Sequence, residues 1–292
     1  MNLLVIGASG QVGSALIARA RELQEIDRVT GVSRSSGDGE HRLDLTIPSS
    51  VTRVMEVVRP THVILASAST NVAWCEANAS AAHEVNVEGP RAVAAACDRQ
   101  GARLVLVSSD YVFDGHNGPY SEIDPCNPIN VYGVQKLEAE QIVLGAGHEN
   151  LILRTCQIFG QDSRRVNFVL RTVDAIKAGE MVGAAVDLFG TPTYAPDFAR
   201  VAFDLIIAGA HGIWHAAGGE FVSRHQLAIR AAIAFGADPD RVRESRSDEL
   251  ADAVPRPRRA GLRCARLRTQ GVGPMRSLDA ALQDFALLEA AV

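Results

Sequence analysis

The chain opens on Leu3-Leu4-Val5-Ile6, a wholly apolar run, and passes directly into Gly7-Ala8-Ser9-Gly10-Gln11-Val12-Gly13 and then a helical pattern over residues 14–23. An unbroken apolar run of this length suits a strand buried on both faces, as in a parallel sheet. The same alternation continues. Strand-like runs fall at 29–32, 62–66, 104–107 and 151–153, with helical composition and spacing at 51–58 and 79–99. Strands alternating with helices predict an α/β fold, a doubly wound parallel sheet.

The glycines narrow this to a Rossmann-type sheet. Gly7, Gly10 and Gly13 end the first strand and open the first helix. In that context the first permits a tight turn and the second lets the backbone approach a pyrophosphate. The third lets helix and sheet pack closely, and the helix N-terminus offers N–H groups to the anion. A plain turn is the alternative. Ser9, Gln11 and Val12 belong to the same expected site, as do Leu45 and the strand end Ala66-Ser67-Ala68. The second strand ends Gly31-Val32-Ser33-Arg34-Ser35-Ser36, without the carboxylate that holds the ribose of NAD. Ser33 and Arg34 there favour the 2′-phosphate of NADPH, with NADH as the second possibility; a solvated loop is the other reading. Asp44 stands where a carboxylate can accept from the adenine amino group, or else cap a turn.

Chemistry is expected at Ser109, Tyr132 and Lys136. Ser109 ends the strand at 104–107, on the edge where doubly wound sheets bind ligands. Tyr132 and Lys136 are four apart at the head of a helical pattern and project together. A carbonyl receiving hydride needs a proton. A tyrosine whose pKa is lowered by a nearby ammonium can supply it, Ser109 can bond the same oxygen, and the lysine can hold the nicotinamide ribose.

These motifs resemble the extended short-chain dehydrogenase/reductase superfamily, and within it the dTDP-4-dehydrorhamnose reductase family, over nearly the whole chain. The resemblance is carried by Gly7 to Gly13, by Asn86-Val87-Glu88-Gly89, and by Ser108-Ser109-Asp110-Tyr111-Val112-Phe113-Asp114-Gly115. It continues in Gly118-Pro119-Tyr120, residues 128–132, Lys136, Phe189-Gly190-Thr191-Pro192-Thr193-Tyr194-Ala195 and Asp197. It implies reduction of the 4-keto group of a nucleotide-linked deoxysugar by NADPH or NADH. It also implies Ser109 in the Ser/Thr position, Tyr132 as proton donor, Lys136 as its partner and Asn86 as a supporting polar group. Two departures bear on the identity of the sugar: Ala73 stands where an aspartate is frequent, and the arginine-rich stretch 256–267 has Arg263 where an aspartate is common.

The expected organisation is a dinucleotide-binding domain over 1–160, completed by 193–216, with a smaller, mostly helical substrate lobe over 161–192 and 217–292. Helical stretches are expected at 167–177, from about 192 (capped by Thr193 or Asp197) and from Ser223, and strands at 184–188 and 212–215. Asn167, Arg164, Tyr194 and Arg256 are the candidate substrate residues, arginines being suited to a diphosphate; any one of them can equally be a surface residue.

Other classes are weighed on the same residues. A sugar dehydratase would carry Asp-Glu where this chain has Asp110-Tyr111, and an epimerase of the same superfamily is a further alternative. A cofactor-binding regulatory subunit resembling that of methionine adenosyltransferase need not keep Ser109, Tyr132 and Lys136 together. A formal net charge of -5 without a long basic run argues against nucleic-acid binding. The apolar start stops at Gly7, which argues against a signal or membrane span and for the cytoplasm. Five scattered cysteines without a CxxC pair indicate neither a disulfide framework nor zinc. His211 and His215, in β-rich surroundings, do not suggest a metal pair, and Asn78-Ala79-Ser80 is a sequon without other signs of secretion. The Ala- and Val-rich helices at 80–99 and 131–144 raise the possibility of a homodimer, although core-facing helices would look the same.

Overall fold

The computed structural model describes residues 1–34, 42–249 and 254–291, so Ser35 and Ser36 lie outside the described residues. In chain order the first half runs β1 (Asn2–Ile6), α1 (Gln11–Ala20), β2 (Arg28–Val32), α2 (Pro48–Val58), β3 (His62–Leu65), α3 (Val72–Ala77) and α4 (Ala79–His83). After a π turn (Glu84–Glu88) come α5 (Gly89–Gln100), β4 (Arg103–Ser109), a 3-10 turn (Asp110–Val112), α6 (Val131–Ala146), β5 (Leu151–Thr155) and β6 (Ile158–Phe159). The second half contains α7 (Phe168–Lys177), β7 (Val182–Ala185), β8 (Phe189–Gly190), β9 (Thr193–Tyr194), α8 (Ala195–Ile207), β10 (Gly212–His215), β11 (Val222–Ser223), α9 (Arg224–Ala234), β12 (Val242–Ser245) and α10 (Leu278–Ala290).

Six strands form one parallel sheet in the order β10-β5-β4-β3-β1-β2. The order reverses between β1 and β3, which opens a crevice at their carboxyl ends. A bridge between Ser33 and Arg42 carries the pairing one step past β2. Both faces of the sheet are covered, and this explains its unbroken apolar strands. Leu4, Ile6, Val63, Leu65, Leu104 and Leu106 face α2, α5 and α6. Leu3, Val5, Ile64, Val105 and Leu153 face α1 and α8. A separate cluster of Phe159, Val169, Leu170, Tyr194, Leu227, Leu282 and Phe285 joins α7, α9 and α10, flanked by short two-stranded ladders.

Several boundaries differ from those expected. Helix α1 starts at Gln11 rather than Ser14, because the glycine loop itself supplies the first turn. The segment expected as one helix over 79–99 is helical throughout but widens into the π turn at Glu84–Glu88. Pro90 has no N–H to give to the carbonyl of Asn86, and the wider turn accommodates its ring. The strand expected at 184–188 is Val182–Ala185, in register with Val242–Ser245. Helix α8 is capped by neither Thr193 nor Asp197. The Thr193 hydroxyl donates to the Thr191 carbonyl, and Asp197 accepts from Arg276. Helix α9 does start at Ser223, through a reciprocal capping box with Gln226. No described helix is long and apolar enough to cross a membrane.

Candidate active site

The glycine loop lies at the carboxyl end of β1. Gly7 has φ +97°, and a Cβ on it would come within 2.8 Å of the Ser67 backbone nitrogen. A Cβ on Gly13 would sit 2.1 Å from the Gly7 carbonyl oxygen. The third glycine therefore lets α1 close onto the loop that precedes it, rather than onto a neighbouring strand. At Gly10 a Cβ would meet only that same oxygen, at 3.3 Å, so the outer side of the loop is open. Gly10 caps α1 without a side chain and no acidic residue occupies the first turn, which leaves the helix N-terminus to an anion. The residues present fit a dinucleotide pyrophosphate.

Beyond β2, Arg34 is exposed and its charge acts on Asp44. The Asp44 carboxylate accepts from the Thr46 backbone (3.0 Å) and hydroxyl (2.8 Å). Burial pushes its pKa up, but these bonds and the Arg34 and Arg42 charges outweigh it and hold the group low. The turn role weighed for Asp44 is thus the one its hydrogen bonds fulfil. Leu45 is buried against Gly89, and the Ala66 nitrogen continues the pairing with β1 before Ser67 closes on Gly7.

Ser109, Tyr132 and Lys136 converge. The Ser109 hydroxyl accepts from the Tyr111 nitrogen (3.2 Å), donates to Asp110 (3.1 Å) and lies beside the Tyr132 phenol. Gly133 makes this approach possible: a Cβ there would lie 2.2 Å from the Tyr111 carbonyl, so only glycine lets α6 reach the turn after β4. Tyr132 then meets Tyr111 edge to face, with centroids 5.6 Å apart. Asn130 caps α6 and reaches the Pro255 carbonyl at 2.9 Å, joining the helix start to the C-terminal segment. Asn86 bonds Ser69 at both backbone atoms and reaches Gln135 at 3.0 Å, so the π turn positions α6 from its other side.

Lys136 donates to the Val107 carbonyl at 2.7 Å and is 3% exposed. Burial pushes its ammonium down to about 8, with Glu140 opposing. The tyrosine behaves differently from expectation. Its pKa is raised, first by burial and then by the charges of Asp110 and Tyr111, while the bond from Ser109 opposes the rise. Lys136, whose ammonium donates to the Val107 carbonyl, is not among the leading influences on this phenol, and burial outweighs the lowering expected from it. A phenol held protonated is nonetheless the form a proton donor requires.

The structure adds residues the motifs did not single out. Asp110 is buried and its carboxyl is pushed up to about 6 by burial, against bonds from Cys156 and Ser109 and the charge of Arg224. Cys156 is buried and accepts from the Thr191 nitrogen at 3.3 Å. The Arg224 guanidinium lies 4.6 Å from the centre of the Phe168 ring, and its charge acts on Tyr111 and Asp110, while that of Arg256 acts on Tyr111 and on Arg224 itself. Thr155, paired with Ser109 across β4 and β5, leaves its buried Oγ1 without a hydrogen bond. The carboxyl end of β5 borders the site as that of β4 does, so Thr155-Cys156 was legible by the same edge rule.

Of the four candidate substrate residues, Arg256 alone reaches this cluster. Gly115 lets the segment carrying it pack closely, since a Cβ there would lie 2.5 Å from Pro257 and Arg258. Asn167 caps α7 and donates to the Gly160 carbonyl. The Tyr194 hydroxyl donates to Asp284 at 2.9 Å, and its ring stacks on Phe159. Arg164 is exposed beside Asp162. Asn167 and Tyr194 thus have their side-chain partners within the lobe.

Beneath the site, Arg154 on β5 binds Glu140 on α6 at 2.7 Å, both nearly inaccessible. His215 on β10 lies beside them, its Nδ1 3.2 Å from the Arg263 carbonyl. Burial, aided by the Arg154 charge, pushes His215 down to about 3, whereas the ordinary value is 6.5. Between these limits the unfolded chain takes up a proton that the folded chain refuses, so acid destabilises the fold. Wild type is expected to lose about 2 kcal/mol more than His215→Gln between pH 6.5 and 5. Urea unfolding at both pH values checks this, and equal losses would show that His215 contributes nothing.

The chain matches the model of the RmlD substrate binding domain over residues 1–289. It is 37% identical over 290 residues to the dTDP-4-keto-6-deoxy-D-glucose reductase of Streptomyces niveus, covering 98% of this chain and 97% of that protein. It is 35% identical over 288 residues to the dTDP-4-dehydrorhamnose reductase of Mycobacterium tuberculosis, covering 96% and 90%. Among solved structures, the dTDP-4-dehydrorhamnose reductase of Bacillus anthracis in complex with NADP superposes with a TM-score of 0.89 at 29% identity, over 98% of each chain. The Clostridium acetobutylicum enzyme of the same name gives 0.91 at 28% identity, over 99% of this chain and 100% of that one. With a match of this extent over the glycine loop, the α6 pair and the lobe behind them, the chain belongs to the RmlD substrate-binding-domain family.

Proposed function

We propose that the protein reduces the 4-keto group of a nucleotide-linked 6-deoxysugar with NADPH. The observation that carries the reading is the convergence of Tyr132, Ser109 and Lys136 on the sheet edge beside an open, uncapped glycine loop. When bound there, the reduced nicotinamide supplies the hydride. Ser109 aligns the sugar carbonyl, and the Tyr132 hydroxyl gives its proton to the oxygen that gains charge. Lys136 holds positive charge close to the phenolate left behind. Arg224 and Arg256 offer cationic partners to the diphosphate. Arg34, with no carboxylate at the end of β2, favours the 2′-phosphate of NADPH over NADH. The names of the relatives support the sugar class, and the NADP in the Bacillus anthracis structure supports the cofactor.

Self-association through α5 and α6 gains no support from their composition, since Val93, Ala94, Ala96, Ala139 and Val143 are buried in the protomer's own core. The test of function is absorbance of the reduced nicotinamide during incubation with a dTDP-linked 4-keto-6-deoxysugar. Oxidation with NADPH preferred over NADH is expected. Tight binding of NADPH without oxidation of this or related sugars would favour the regulatory role instead.

A further inference from the structure

Glu140 lies one turn beyond Lys136 and two beyond Tyr132 on α6, so the three share a face of the helix. Its carboxylate is held by Arg154 through Nε at 2.9 Å and Nη2 at 2.7 Å, and it accepts from the hydroxyl of Ser108, the residue before Ser109. The two charged side chains are 1% and 2% exposed. Burying such a pair gives little net stability, because desolvation of both ions offsets their attraction, and apolar residues of similar volume often serve the fold as well. Net stability is therefore a weak reason for an ion pair at this place.

The cations of the chain point the same way. It contains 27 arginines and two lysines, Lys136 and Lys177. Apart from Lys177, every other basic position of this chain is an arginine. At position 136 it has the amine, whose charge the surroundings can set.

We propose that Glu140 is a positioning residue of the proton-transfer site: it holds Lys136 as the ammonium and, through Ser108 and Arg154, fixes α6 against the β4 edge that carries Ser109. The kinetic consequence rests on the reductase reading, whereas the effect on charge follows from the i,i+4 placement of Glu140 beside Lys136 and does not depend on that reading. Lys136 meets the Val107 carbonyl from β4, and on its own helix Glu140 and Tyr132 stand four residues to either side of it, with Asp110 on the turn beyond Ser109. Arg154 comes from β5 with Cys126 against it, and His215 lies behind it. Glu138 turns to the other side of α6, toward His83 and Arg91. Burial presses the amine toward its neutral form, and Glu140 is the charge that opposes this. Without the carboxylate, Lys136 would share its surroundings with an unpaired Arg154.

Two lysines make the test direct. Protein labelled with carbon-13 at lysine Cε gives two signals, and Lys177→Arg assigns them. In wild type the Lys136 signal is expected to titrate near pH 8. In Glu140→Gln the midpoint is expected to move about one pH unit or more downward, with Lys177 unmoved. The alkaline limb of kcat should move with it. If Glu140→Gln does not fold, Glu140→Gln combined with Arg154→Met removes both charges together, and the downward shift is expected there too. A variant that melts at a lower temperature but titrates Lys136 as wild type does would reduce Glu140 to a support of the fold and overturn the proposal. Should wild type turn over no nucleotide sugar, the reductase reading fails, while the NMR titration still decides the role of Glu140.

Discussion

Tyr132→Phe is expected to lower kcat for a nucleotide-linked 4-keto sugar by about 10²–10⁴-fold, with NADPH affinity little changed. The substitution removes one oxygen. The ring stays against Tyr111, and the glycine loop, which binds the cofactor's phosphates in the proposed reading, lies on a different strand. Burial and the Asp110 charge keep the phenol protonated across neutral pH, so wild type holds a full complement of donor without help from the medium. Turnover measured by nicotinamide absorbance, alongside a fluorescence titration with NADPH, separates the two effects. An unchanged kcat would move the donor role elsewhere. Asp110, buried nearby with a carboxyl near pH 6, is the next acid to examine.

Lys136→Met is expected to abolish turnover to a similar extent and, in the opposite sense, to stabilise the fold. The unfolded chain holds this proton up to about pH 10.5, whereas the folded chain releases it near 8. Between those limits the unfolded state binds more protons, so stability rises with pH. Below pH 8 the full penalty of a buried ammonium is present. Methionine fills the same channel without that charge. The gain at pH 7 is expected to be about 2 kcal/mol once the lost bond to the Val107 carbonyl is deducted. Urea unfolding of both proteins at pH 7 and pH 10 checks the sign: the advantage of the variant should shrink as pH rises. A variant less stable than wild type at pH 7 would mean that the ammonium is held by more than the structure shows.

These two expectations were legible to different degrees. Tyr132 and Lys136 stand four apart at the head of a helix, and the direction of their side chains follows from helical geometry alone. The four central strands could likewise be read from runs such as Leu3 to Ile6, because a strand buried on both faces has few polar positions to confuse the pattern. Gly7 and Gly13 announced the loop for the same local reason: the turn after β1 needs them whatever the rest of the chain does.

The second half of the chain follows another rule. Tyr194 and Asn167 read as ligands but are spent on Asp284, Leu170 and the Gly160 carbonyl, partners that only the folded lobe supplies. Arg224 gave no signal, because an arginine opening a helix is usually solvated, and its nearness to Tyr111 depends on how α9 is laid against the sheet edge. The reversed pKa of Tyr132 could not be foreseen either. A motif tells which groups are near, whereas the shift depends on how much water remains and on which charges, such as Asp110, the fold brings beside the ring. Short-range geometry is written in residue spacing and survives any fold that respects it. Burial, charge balance and the choice of partner are properties of the assembled volume, and they arise only when segments distant along the chain exclude water together.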